Sequence, residues 1–487
     1  MMSTQDIYSE SFMTNDTKAS DTTEKSMGEA LKERLFYDPK NTYTAMSQET
    51  LHAANDFARD YMAFLDAGKT EREVVKCAVE MAKKAGFQPY TFGMTVHPGD
   101  RLYYNNRGKS LHIWVMGQNP LDQGVRISAA HIDSPRIDLK PHPLYEDSSL
   151  CFLKTRYYGG IKKYQWTTIP LALHGTVIKK DGTPVDICIG EREQDPVFYI
   201  TDLLPHLGRK QQEQPMSKAI AGENMNILFG SVPYPDDDKV SERVKLNLLR
   251  LLNETYGIVE EDFITAELCL VPAFHAREVG LDRSMIGAYG HDDRVCAYPM
   301  LRGILEAQRP GDTVYAILAD KEETGSDGVS GMQCDIMLDI LEDMARSTNA
   351  NIAAMKAHST CLSADVNAAF DPNYADVYDT RNVPLLNKGV VITKYTGGAG
   401  KYSTSDATAE YFGKIRKLFD EHQVLWQTGE LGKVEAGGGG TVAKYIANHN
   451  IDTIDAGVPV LSMHAPWEIV SKNDVYQTYL AVKAFNA

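Results

Sequence analysis

The run Val314-Tyr315-Ala316-Ile317-Leu318-Ala319 is apolar and β-prone, and it ends abruptly in Asp320-Lys321-Glu322-Glu323-Thr324-Gly325-Ser326-Asp327. Such a run reads as a buried strand. Two adjacent carboxylates at its end are costly to place, because charges taken out of water need partners and neighbouring carboxylates repel. A divalent cation answers both demands: one carboxylate binds it while its neighbour handles protons on the water it activates. A solvated Glu-Glu pair at a strand-to-loop junction fits the same letters. The rest of the chain has to decide.

Bulk properties narrow the field. A chain of 487 residues predicts two to four domains and permits large buried cores. With 43% hydrophobic and 24% charged residues it has an ordinary globular composition. The formal net charge of −16 argues against nucleic-acid partners and against anionic membrane surfaces, both of which need positive surface. No apolar stretch reaches membrane-spanning length, and the N-terminus lacks a basic region followed by an apolar core, so no membrane association or secretory signal is expected. Seven scattered cysteines without a CxxC pair predict reduced thiols and a cytoplasmic location.

Residues 1–27 are polar and nearly free of large aliphatics, which predicts a flexible tail with order beginning near Leu31. A helix is expected over 47–66. Another follows from Thr70-Glu71-Arg72-Glu73, which matches a capping box; Val74, Ala78, Met81 and Ala85 give it one apolar stripe, and Gly86 a stop. Arg101–Tyr104 and Leu111–Met116, on either side of an Asn/Gly turn, read as a hairpin or adjacent strands. From 142 to 284 the pattern changes to short β-like pieces, among them Tyr157-Tyr158-Gly159-Gly160, 171–178 and 186–190, with a helix near 240–255. This predicts an α/β protein in which a β-rich domain, 142–284, is inserted into a catalytic domain formed by 28–141 and 285–487.

Site-like residues fall at strand ends and helix starts. The strand Val125–Ala130 runs into His131-Ile132-Asp133-Ser134-Pro135, and ligands gather at the carboxyl ends of strands in open α/β sheets. His131 and Asp133 lie on one side of an extended chain, so the Asp can buttress the imidazole or approach whatever it binds; a capped strand end is the plain alternative. His291-Asp292-Asp293-Arg294 opens an apolar helix, where capping alone could favour the carboxylates. Asp365 ends the run from Cys361, and His464 follows the apolar strand at 459–462 before an amphipathic terminal helix. Each candidate is weak alone. Together His131, Asp292, Glu322/Glu323, Asp365 and His464 supply two imidazoles and three carboxylates, with a further Glu left to accept protons. That is a donor set for two ions of the zinc, cobalt or manganese type.

The ordered motifs Ala130-His131-Ile132-Asp133-Ser134-Pro135, His291-Asp292-Asp293-Arg294, Glu322-Glu323-Thr324-Gly325, Ser363-Ala364-Asp365 and Ser462-Met463-His464 resemble the aspartyl aminopeptidase family of dinuclear zinc exopeptidases. The resemblance covers the ordered chain, including the long insertion, and Val271–Gly280 is similar to bacterial members. It implies a mixed-sheet α/β/α catalytic domain with an inserted β-rich dimerisation domain, and assembly into dodecamers built from dimers. It implies two divalent metal ions per subunit, zinc first with cobalt or manganese as alternatives. Asp292 would bridge them, His131 and Asp365 completing one site and Glu323 and His464 the other. Glu322 would move the proton, Asp133 would orient His131, and a metal would hold the substrate's α-amino group. Asp293 would stand behind the ligands, and His291 would not be one of them.

Further roles carry over from the same resemblance. Lys394 and Tyr402 match substrate-contacting residues of eukaryotic members, beside the alternative of a strand-end Lys and a packed Tyr. Gly437-Gly438-Gly439-Gly440-Thr441 resembles a turn near the substrate's amino end, and no Gly-Lys-Ser/Thr follows it to make a nucleotide phosphate loop. The family's inserted domain lends a His to the neighbouring subunit; His206 lies nearby, while Lys210 stands where that His is expected. The implied activity is release of an N-terminal residue, acidic or neutral, from peptides. Another dinuclear amide hydrolase (a carboxypeptidase or deacylase) and an inactive assembly scaffold are the competing readings.

Overall fold

The computed structural model describes residues 25–235 and 239–487, and most of the tail expected over 1–27 lies outside them. The chain divides into two units between Pro39 and Lys40. The first contains the helix Met27–Leu35, which begins ahead of Leu31 and carries a capping box between Ser26 and Glu29.

The second unit is built on a mixed nine-stranded sheet. Its centre is four parallel strands in the spatial order Thr313–Ala319, Val125–His131, Thr360–Ser363 and Asp452–Gly457. Antiparallel neighbours flank them: Ser110–Val115 on one side and Val390–Thr393 on the other. The apolar runs that the sequence marks as buried strands are buried on both faces. Along Thr313–Ala319, Val314, Ala316 and Leu318 enter one core, and Tyr315, Ile317 and Ala319 the other. The first core packs under Gln48–Ala67, Glu71–Lys84, His291–Glu306 and Lys472–Asn486, and the second under Ile336–Thr348. The capping box at Thr70 forms as the letters predict: Thr70 Oγ1 accepts from Glu73 N–H while Glu73 Oε2 accepts from Thr70 N–H.

A second sheet of seven strands is antiparallel throughout. It begins at Arg136, immediately after the His131–Pro135 segment, and its last strand in sequence is Glu267–Pro272. It has its own core around Ile137, Leu153, Trp166, Leu171 and Leu270. A third sheet of five short strands joins Met285–Ala288, Glu468–Ser471 and Pro459–Leu461. The apolar strand before His464 therefore belongs to this sheet and not to the large one. The inner strand of the large sheet on that side is Asp452–Gly457.

Carboxyl ends of the four central strands converge, and close backbone packing fixes their spacing. Gly457 shows how tightly: a Cβ there would lie 1.8 Å from the carbonyl oxygen of Asp365. Gly457→Ala is expected to lower stability by about 1–3 kcal/mol through overpacking. Urea unfolding measures the loss, and an unchanged midpoint would count against this packing.

Candidate metal centre

His131 is the last residue of its strand and is fully buried. Its Nδ1 lies 3.0 Å from the backbone carbonyl of Asp133, to which it donates, leaving Nε2 as a lone-pair donor. His464, in the turn after Pro459–Leu461, is fixed the same way: Nδ1 lies 2.7 Å from the carbonyl of Gly160, and Nε2 is left free. Both Nε2 atoms face the carboxylate of Asp292. His131 Nε2 is 3.1 Å from Oδ1, and His464 Nε2 is 3.1 Å from Oδ2.

Asp292 lies in the first turn of the helix that Gly290 introduces at φ 77°. A Cβ on Gly290 would meet the buried Arg294 guanidinium at 2.5 Å, so glycine is required there for both conformation and space. Asp365 Oδ1 is 3.8 Å from His131 Nε2, and Glu323 Oε1 is 3.6 Å from His464 Nε2. Two potential ligand triads thus share one residue: His131, Asp292 and Asp365, and Asp292, Glu323 and His464. Glu322 stands beside them, its Oε2 3.9 Å from His131 Nε2.

Supporting groups hold these side chains from behind. The Asp133 carboxylate is fully buried and accepts from Tyr158 Oη at 2.7 Å and from the backbone N–H of Glu322 and Glu323 at 3.1 and 3.2 Å. One of its oxygens is also 3.3 Å from His131 Nδ1. The Glu468 carboxylate takes Asp292 N–H at 3.1 Å and His464 N–H at 2.7 Å. Asp293 accepts from His131 N–H. His291 plays no part in the triads: its ring nitrogens engage Tyr61 Oη and the carbonyl of Ile286, and burial holds its pKa down to about 3.

The electrostatics point to a missing positive charge. Burial opposes ionisation of Asp292, yet the His131 and His464 rings, whose Nε2 atoms take up protons against this carboxylate when no cation stands between them, hold its carboxyl well below the usual range. The others go the opposite way. Burial and the neighbouring Asp365 push Glu322 up to about 8, burial and Asp292 push Glu323 far up, and burial raises Asp365. Burial and Asp292 raise Glu468 to about 8; burial and Asp365 raise Asp455 to about 7. Glu323 Oε1 is buried with no hydrogen-bond partner. An orphaned carboxylate oxygen aimed into a cluster of imidazole and carboxylate donors is what a bound cation would satisfy. The residues fit the metals that the sequence implied. A third group, Glu73, His174 and Cys188, differs because His174 already bridges Glu73 at 2.7 Å and Glu191 at 2.9 Å, with Lys69 against Glu191. Those ion pairs are complete without a metal.

Beside Asp365 opens a cavity of about 430 Å³ whose walls include Asn367, Tyr395, Glu430, Gly438 and Thr441. The expected glycine turn therefore faces the cavity. Lys394 and Tyr402 are not among its walls: Lys394 lies against the Tyr395 ring, and Tyr402 is exposed in a two-stranded hairpin. His206 sits in an exposed turn, and the chain does not bring it to the triads. The sequence reading passed over Glu468, Asp455 and Tyr158. Glu468 follows His464 by one turn-length of chain, and Tyr158 opens a Gly-Gly pair, but only the fold turns either toward the site.

Residues 64–486 match the family model described as aminopeptidase I zinc metalloprotease (M18). A probable M18 family aminopeptidase 1 of Clostridium acetobutylicum is 46% identical, over 93% of this chain and 98% of its own length. The one from Thermotoga maritima is 44% identical, over 91% and 98%. The crystal structure of the Thermotoga maritima M18 aminopeptidase superposes with a TM-score of 0.88 at 43% identity, covering 92% of this chain and 99% of that one. The S. cerevisiae mApe1 dodecamer shares the fold, with a TM-score of 0.72 at 21% identity over 89% and 96%.

Raised carboxyls set the pH response of the metal-free protein. Glu322, Glu468 and Asp455 keep protons in the folded state that the unfolded chain, with carboxyls near pH 4, has already released. Folding then binds protons across this window, so stability falls as pH rises from about 5 to 8. Thermal melts of chelated protein should show that decline, and zinc should flatten it. A flat profile for the chelated protein would remove the case for surplus buried negative charge.

Proposed function

The chain belongs to the M18 family of zinc metalloproteases and is a metal-dependent aminopeptidase, and we propose that its two triads hold two divalent cations per subunit. Asp292 would be shared between them, His131 and Asp365 would complete one site, and Glu323 and His464 the other. The observation that carries it is the Asp292 carboxylate, each of whose oxygens faces a different imidazole at 3.1 Å. Zinc is the ion in the family's description; cobalt and manganese suit the same nitrogen and oxygen donors. Bound there, the cations supply Lewis acidity to the scissile carbonyl and to water.

The protein's own residues do the remainder. Glu322 belongs to neither triad but stands beside them, its Oε2 3.9 Å from His131 Nε2. It takes the proton that water sheds on attacking the carbonyl carbon and delivers it to the departing amide nitrogen. Asp133 holds the His131 ring and, through two backbone N–H groups, the turn that carries Glu322 and Glu323. The free α-amino group of a peptide, in its unprotonated form, would be held at this cluster by a cation on His131, Asp292 and Asp365 or on Asp292, Glu323 and His464, which would confine cleavage to the first residue. The adjoining cavity receives that residue's side chain. Its walls include Asp406 and Glu430; its one lysine, Lys433, donates to the carbonyl of Asp376, and Lys394 lies outside. A neutral first residue suits these walls better than an acidic one.

We place the oligomerising part of the chain in the β-rich region, 142–284, between two catalytic stretches, 28–141 and 285–487. The exposed Leu203, Leu204, Leu207 and Met216 support a homo-oligomer, and the mApe1 dodecamer suggests its size. His206 lies among these exposed leucines, where it could reach a neighbouring subunit. No helix among the described residues is long and apolar enough to cross a membrane. Seven unpaired cysteines support a cytoplasmic setting.

Purified protein assayed on Asp, Glu, Leu, Lys and Met chromogenic substrates, each with and without an N-acetyl block, tests the reading. The expected result is release from free-amino substrates only, faster with Leu and Met than with Asp and Glu and abolished by chelation. Glu322→Gln should cost about 10²–10⁴-fold in kcat with metal content retained. Equal cleavage of blocked substrates would overturn recognition of the amino end, and a fully active Glu322→Gln would overturn the proton transfer.

A further inference from the structure

The Tyr157-Tyr158-Gly159-Gly160 motif supplies more than the separate contacts of Tyr158 with Asp133 and of Gly160 with His464. It ends the strand Leu150–Tyr158 of the second sheet, yet three of its consecutive residues touch the metal centre. Tyr158 Oη donates to Asp133 Oδ2 at 2.7 Å. Gly159, at φ 77°, packs against Glu323, so that a Cβ there would lie 3.0 Å from Oε2. The carbonyl of Gly160 receives His464 Nδ1–H at 2.7 Å.

We propose that Tyr158, Gly159 and Gly160 form a clamp by which the second sheet positions Glu323, His464 and, through Asp133, the whole Glu322–Glu323 turn. The inference rests on the assignment of those side chains made above. Each contact fixes a different degree of freedom. Gly160 sets the tautomer and tilt of the His464 ring, since an Nδ1–H held by a carbonyl leaves Nε2 pointing at Asp292. Gly159 limits where the Glu323 carboxylate can swing; any side chain at this position would combine backbone strain with contact against Oε2. Tyr158 completes the donor set of Asp133, whose two oxygens also anchor the backbone of Glu322 and Glu323.

The clamp is itself held rigidly. The Tyr158 ring lies under the Arg136 guanidinium, 4.1 Å from the ring centroid, with Lys321 Nζ 5.3 Å away. Arg136 is the strand partner of Tyr158 and is tied to Glu71 at 3.0 Å and Asp138 at 2.8 Å. Lys321 precedes Glu322 directly. Tyr158 is thus a positioning residue, with no contact of its own to the reacting atoms.

Tyr158→Phe keeps the ring and removes the donor. The experiment follows three quantities in the full-length protein: Co²⁺ titration read by visible absorbance, kcat and KM on the best chromogenic substrate, and Tm. The expected result is about tenfold weaker Co²⁺ binding and a comparable fall in kcat, with KM and Tm unchanged. Gly159→Ala should reproduce the weaker Co²⁺ binding through its contact with Glu323. Co²⁺ affinity and kcat within twofold of wild type in Tyr158→Phe would overturn the clamp, as would losses that merely track a falling Tm. Because Co²⁺ binding is read without substrate, a wild-type protein that binds the metal but cleaves nothing would sink the aminopeptidase roles while still testing the clamp.

Discussion

The structure depends on one shared carboxylate. Asp292 is buried and lies between two imidazoles at equal distance, one at a strand end of the large mixed sheet and one in a turn between strands of the small third sheet. Around it stand Glu322, Glu323, Asp365 and, behind them, Asp293, Asp455 and Glu468. Two histidines cannot neutralise that many carboxylates, which is why burial and mutual repulsion push most of them upward, while Asp292, like Asp133 behind His131, is held down by the imidazoles. Such a cluster is unstable as an isolated feature. It persists because the backbone geometry of three sheets is fixed elsewhere, by cores that do not involve it.

Those cores explain why the ligands arrive together. Parallel strands in one sheet present their carboxyl ends along one edge, so His131, the acidic turn after Ala319 and Asp365 come from neighbouring strands without any long-range search. Asp292 is delivered by a helix packed on the same sheet. His464 requires the third sheet, and Glu468, on that sheet, ties it back by gripping the backbone of both His464 and Asp292. The imidazoles are oriented by carbonyls, and the supporting carboxylates of Asp133, Asp293 and Glu468 accept backbone N–H groups, while Glu323 Oε1 is left without a partner.

How much of this was legible follows from the range of each signal. Apolar runs that end in chemistry-bearing residues are local, so three of the four central strands and the pool of proposed ligands could be read directly, whereas Asp452–Gly457 was not marked and the choice of Glu323 over Glu322 came from the family resemblance. The Thr70 capping box and the terminal helix were equally local. The change of pattern beyond residue 142 marked the second sheet, although not that its first strand starts at Arg136, against the site itself. His464 was found as the end of an apolar strand, but letters alone cannot say that the strand lies outside the large sheet, because pairing is a property of the fold. Glu468, Asp455 and Tyr158 escaped for the same reason. A buried carboxylate that accepts backbone N–H groups has no periodicity and no spacing rule. Lys394 and Tyr402 show the converse: they occupy suitable positions in the chain, yet neither Lys394, just ahead of the hairpin, nor Tyr402 within it is among the cavity's walls.

The placement of Tyr158–Gly160 changes how the second sheet should be viewed. A domain inserted only to build an interface could join the catalytic sheet through any pair of linkers. Here the entry is the His131–Pro135 segment itself, and the first hairpin returns its chain to the same spot, so the sheet's opening pair of strands brackets the ligands. Glu267, on the last strand, pairs with Arg72 and Lys109 of the catalytic stretch, and Lys109 also reaches Glu71, the partner of Arg136. A displacement of this sheet would therefore reach Asp133 and His464 within one or two contacts. The proposed metal centre draws its side chains from the large and third sheets and its supporting contacts in part from the second, so no one sheet contains enough of the site to define it.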